Sequence, residues 1–129
     1  FSLCGAMLKN KKKIICFDID NVICRTHKND YTKSKPIKKT INLINYLYKK
    51  GYFIKIFTSR FMGRNNENVN KAKKNGYKLT INQLKKWNIK FHILIMGKPS
   101  FDIYIDDKAF GFNKNWQEKF KKMIKNDRN

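Results

Sequence analysis

The sequence predicts an α/β fold built on a mostly parallel sheet. Short apolar runs rich in β-branched residues alternate with stretches of helical spacing, and no internal repeat or low-complexity linker interrupts that order. At 129 residues the chain suits one domain with a real core.

The first run, "KKIICFDI" (12–19), is continuous enough in apolar character to read as a fully buried strand. The polar stretch "CRTHKNDYTKSK" (24–35) reads as a loop or small flap. Pro36 is placed to open a helix in its first turn. Ile37, Ile41, Ile44 and Tyr48, with Leu43 and Leu47, then repeat at helical spacing, and Gly51 fits the stop. "YFIKIFTSR" (52–60) is a second strand. The segment 61–76 is polar and Asn-rich, with a short helix around 69–74, and Thr80 with Gln83 forms a capping box for a helix through Trp87. "KFHILIM" (90–96) is a third strand, "GKPS" a loop and "FDIYI" (101–105) a fourth strand. Trp116, Phe120, Met123 and Ile124 give the tail a helical face.

Composition sets the bounds. No apolar run approaches the roughly 18 residues of a membrane span, so no membrane partner is expected. The start lacks signal-peptide order, because its charges follow the apolar stretch. Met7 reads as the natural start, with 1–6 a leader or remnant and 7–125 the single domain. The three cysteines are odd in number and lack paired metal spacing. Cys16 is expected in the core as a reduced thiol, which points to the cytoplasm.

The formal net charge is +21, yet only four of the 30 basic residues are Arg. The lysines are spread over every segment and form no stripe with interleaved aromatics. That pattern reads as compositional drift more than as a dedicated nucleic-acid surface, while still helping an anionic ligand approach.

In a parallel sheet, ligands bind beyond the carboxyl ends of the strands. Asp18 and Asp20 close the first strand, and Thr58, Ser59 and Arg60 close the second. Lys98 follows the third, and Asp106 and Asp107 close the fourth. Four of the chain's nine acids would then share one site, and carboxylates at that density call for a divalent cation. Oxygen ligands suit Mg²⁺, which pairs with substrate phosphate. A carboxylate there can attack phosphorus while a second one handles the leaving-group proton. Single residues carry less: a lone Asp after a strand is usually a cap or turn, the reading for Asp30 and Asp102. His27 reads as a surface residue, His92 as structural, and Trp87 and Trp116 as core or rim.

The ordered motifs "FDIDNVI", "IFTSR", "GKP" and "IYIDDKA" resemble those of the haloacid dehalogenase-like (HAD) phosphatases, over about residues 13–110. Within that superfamily, "ICRTHKNDY", "TSRFM" and "GKPSFDIYIDDKA" look most similar to small phosphatases of capsular polysaccharide biosynthesis. The resemblance implies a three-layer, Rossmann-like sandwich without a cap domain. It makes Asp18 the nucleophile and Asp20 the general acid/base, with Thr58 and Lys98 on the transferring phosphoryl group. It implies Mg²⁺ held by Asp18, the Asp20 carbonyl, Asp106 and Asp107. Two positions depart from the pattern: Asn21 replaces a Gly, and Val22 stands where Thr is common.

Only short segments are available for a cap, so the site is expected to be open. Ser59, Arg60 and Arg25, with Arg64, are candidates for gripping the substrate's anionic groups. The expected activity is Mg²⁺-dependent hydrolysis of a phosphate monoester, a sugar phosphate or related metabolite, through an aspartyl-phosphate. The alternatives are a polynucleotide end-phosphatase and a non-catalytic basic module that binds nucleic acid. Natural substrate and oligomeric state are not specified by the sequence.

Overall fold

The computed structural model describes residues 13–126, so the expected leader at 1–6 and Cys4 lie outside the described residues. Among the described residues five strands and three α-helices follow in the order β1 (Ile14–Phe17), β2 (Cys24–Arg25), β3 (Lys35–Pro36), α1 (Lys38–Lys49), β4 (Phe53–Thr58), α2 (Val69–Lys86), β5 (Ile93–Met96) and α3 (Trp116–Asn126). Single 3-10 turns occupy Tyr31–Lys33 and Gly63–Asn65.

β1, β4 and β5 form one sheet in the order β1-β4-β5, both pairings parallel. The expected α/β architecture with a parallel sheet is thus present. β2 and β3 make a separate antiparallel hairpin that opposes Cys24 to Pro36 and Arg25 to Lys35. Pro36 therefore sits in a strand, where an edge position tolerates its missing N–H, and α1 begins two residues later.

Burial alternates along the strands. Phe17, Ile54, Ile56, Thr58, Leu94 and Met96 are buried, whereas Ile14, Cys16, Lys55, Phe57, Ile93 and Ile95 on the opposite face are half-buried or exposed. The buried face meets Ile41, Leu43, Ile44 and Leu47 of α1, Leu84 of α2, and Trp116, Phe120 and Ile124 of α3 in one core. In the tail helix Met123 faces outward.

Four expectations change. β1 is not fully buried: Ile14 is 62% exposed, and Cys16 faces solvent rather than the core. "FDIYI" forms no strand; residues 97–115 carry no helix or ladder, and Ile103 and Ile105 are 80% and 93% exposed. Ile14 and Cys16 stand on the sheet face that the core helices leave uncovered, and the outer edge of β1 pairs with no strand among the described residues. The fourth change concerns α2, which is one helix of 18 residues rather than two short ones. Its N-cap is Asn68, whose side chain accepts the Lys71 N–H. Thr80, read as a cap, is buried in mid-helix.

Candidate functional site

The carboxyl end of β1 turns sharply around one carbonyl. Ile19 O accepts backbone N–H groups from Val22, Ile23 and Cys24, and Asn21 N–H returns to Cys24 O at 2.6 Å. Asn21 takes φ 68°, the left-handed region that Gly or Asn supplies most readily. The turn sets Asp18 and Asp20 side by side at the mouth of the sheet.

Asp18 accepts the N–H of Ile19 at 2.8 Å on Oδ1 and faces Lys98 Nζ at 3.6 Å on Oδ2. Burial pushes its carboxyl above the ordinary value, Lys98 and the Ile19 N–H pull it back, and the Asp20 charge pushes it up again. Lys98 arrives from the end of β5, its backbone N–H held by Thr58 O at 3.1 Å. Its ammonium also lies over the rings of Phe101 and Tyr104.

Asp20 is held by a buried cation. Arg60 is 1% exposed, and its Nη2 and Nε donate to Asp20 at 2.9 and 3.0 Å. A charge buried this deeply needs a complete set of partners. Arg60 Nη1 donates to Gln83 Oε1 at 2.7 Å, Nη2 also reaches Ser34 Oγ, and the guanidinium stacks on Tyr31. Directly after Arg60 the chain turns at Phe61, which takes φ 67° and sends its ring under Gly76 of α2. Asp20 Oδ1 accepts the Thr26 hydroxyl as well, whereas Oδ2 has only the Arg60 Nε contacts and keeps a lone-pair direction for a further proton.

The hairpin is tied down over this pair. Gln83 Nε2 donates to Tyr31 O at 2.6 Å, and Arg64 Nη2 donates to Asn29 O at 2.8 Å. Tyr31 packs on Phe61 and, with Met62 and Ala72, makes a second small core. Alongside lies a cleft of about 500 Å³ bordered by Arg25, His27 and Lys35.

The sequence-predicted residues divide accordingly. Asp18, Asp20 and Lys98 are brought together. Arg60, expected to grip substrate, is instead the buried partner of Asp20. Thr58 is fully buried, its hydroxyl accepting the Arg60 N–H at 3.1 Å. Ser59 is half-buried and caps the following turn through its carbonyl. Arg64 braces the hairpin, and Arg25 borders the cleft. Asp106 and Asp107 lie on the exposed 97–115 segment, where Asp106 accepts the Lys108 N–H. Among the described residues no three His, Cys, Asp or Glu side chains gather as a metal cluster. Of the expected Mg²⁺ donors, Asp18 and Asp20 neighbour each other at the end of β1, and Asp106 and Asp107 stand on exposed chain beyond Lys98 and Tyr104.

Tyr31, Ser34, Thr26 and Gln83 were missed as site-builders. Gln83 was legible only as half of a capping box, and nothing local marks a Gln or Tyr as the partner of an Arg many residues away.

No family model and no curated protein matches this chain. A crystal structure of a Vibrio cholerae protein superposes with a TM-score of 0.73 at 22% identity, covering 90% of this chain and 99% of that one. At that identity the likeness speaks to the fold alone.

Proposed function

We propose that the protein is a phosphate-monoester hydrolase. The observation that carries the reading is the Lys98 ammonium set 3.6 Å from Asp18, beside Asp20, where parallel strands end. The motif resemblance supports it, and the fold likeness is compatible with it. The substrate class we propose is a sugar phosphate or related metabolite, with surface-polysaccharide biosynthesis as the setting the resemblance implies.

In this reading the Asp18 carboxylate attacks phosphorus, and the ester oxygen departs with a proton from Asp20. Water then attacks the phosphorus of the resulting aspartyl-phosphate, Asp20 takes the water's proton, and phosphate and free Asp18 are regenerated. Lys98 balances charge on the phosphoryl oxygens, and partial burial raises the Asp18 carboxyl above its ordinary value. A halide leaving group needs no proton, so an acid at Asp20 favours ester hydrolysis over dehalogenation. Mg²⁺ is the cofactor proposed, on the chemistry of the carboxylate donors, to neutralise phosphoryl charge when bound.

Phosphate release from 4-nitrophenyl phosphate tests the reading. Activity is expected with Mg²⁺, falling to background in Asp18→Asn and by about 10²–10⁴-fold in Asp20→Asn. Undiminished release in excess EDTA would remove the metal, and undiminished release by Asp18→Asn would remove the mechanism. Steep, salt-sensitive nucleic-acid binding without phosphate release would favour the basic-module alternative.

A further inference from the structure

The hairpin beside Asp20 carries charges that its own folding opposes. Arg25 and Lys35 are directly opposed on β2 and β3, so both side chains stand on one face of a two-residue ribbon. Like charges at opposed positions are destabilising. Both residues are exposed, and among the described residues neither has an ion-pair partner. They border the 500 Å³ cleft, whose lining adds Lys28 and Lys33. Four of the seven lining residues are Lys or Arg.

The lone acid of the cleft is engaged: Asp30 Oδ1 accepts the Thr32 hydroxyl, and Oδ2 lies 3.8 Å from Lys33. Thr26 joins the cleft to the candidate site, lining one and donating to Asp20 in the other. The tethers from Gln83 and Arg64 hold the wall in place, so the cleft exists before any ligand arrives.

We propose that this cleft binds a second anionic group of the substrate, a phosphate or carboxylate on the leaving-group side of the ester. The inference rests on the hydrolase reading for the reacting phosphoryl group and narrows the substrate to a bis-anionic metabolite. An oxyanion between Arg25 and Lys35 turns their repulsion into two charge-assisted contacts, whereas a neutral sugar ring brings hydroxyl acceptors but no charge to offset it.

Calorimetric titration of the Asp18→Asn protein tests this without turnover, using glucose 1,6-bisphosphate, 6-phosphogluconate and glucose 6-phosphate. At least one bis-anion is expected to bind about tenfold tighter than the mono-anion, with the advantage lost in Arg25→Gln/Lys35→Gln. An advantage for the bisphosphate alone assigns a phosphate, and one for 6-phosphogluconate alone assigns a carboxylate. Equal affinities, or an advantage that survives the double substitution, overturn the proposal. So does a 5′-phosphorylated tetranucleotide that binds tighter than both small bis-anions. Turnover is read separately: a bis-anion preference in a protein that releases no phosphate would defeat the hydrolase reading and leave the anion site standing.

Discussion

At the scale of single residues, two side chains show how position overrides type. Asn21 looked anomalous where a Gly was expected, and its φ of 68° supplies the reason, since Asn is among the few residues that enter this region at low cost. Asp18 carries a carboxyl raised above its ordinary 3.8, chiefly by burial. A carboxyl raised on folding contributes stability below its unfolded value and loses it as pH climbs through the folded one. Asp18→Asn is therefore expected to raise the melting temperature by a few degrees at pH 7, with the gap closing below about pH 4. Thermal melts of both proteins from pH 3 to 8 check this. A difference that grows toward low pH would contradict the burial argument. His92 follows the opposite sign: its Nδ1 accepts the Ile54 N–H and burial lowers its pKa, so it favours the fold in its neutral form.

At the scale of elements, α2 matters more than its polar sequence implies. Gly76 in its interior costs helix propensity of about 1 kcal/mol against Ala. The Phe61 ring explains its place, since a Cβ at residue 76 would lie 2.2 Å from Phe61 Cδ2. Gly76→Ala is expected to destabilise the protein by about 1–3 kcal/mol despite the better propensity, because overpacking exceeds the gain. Denaturant melts check the sign, and Phe61→Leu in the same chain should recover part of the loss. The strained φ of Phe61 has the same logic: one unfavourable backbone residue seats its own ring against helix and hairpin, next to the Arg60 that braces Asp20.

At the scale of the whole molecule, the sheet is covered densely on one face, and among the described residues no strand pairs with the outer edge of β1. Ile105→Lys accordingly falls on exposed chain and is expected to change stability by no more than about 0.5 kcal/mol. A buried fourth strand would instead lose several kcal/mol, so one denaturation curve separates the two arrangements. The parallel order of β1, β4 and β5 was legible because each is a compact apolar run between polar segments. So was the meeting of Asp18, Asp20 and Lys98, since strand ends in a parallel sheet converge. "FDIYI" was misread because periodicity reports what a segment would bury, not whether a neighbour is there to receive it. Arg60 was misread for a related reason: the residue type invites an anionic ligand, and only the fold reveals that a carboxylate of the same chain takes that place.

Gly76 and Gln83 stand seven residues apart, two turns of α2, and so share one side of the helix. The first seats Phe61; the second grips Arg60 and Tyr31 with its two amide atoms. The helix thus works as a ruler, measuring the distance between the strand-end loop and the hairpin. Adding or deleting a single residue between those marks turns Gln83 by about 100° and releases Asp20's brace and the hairpin's tether together.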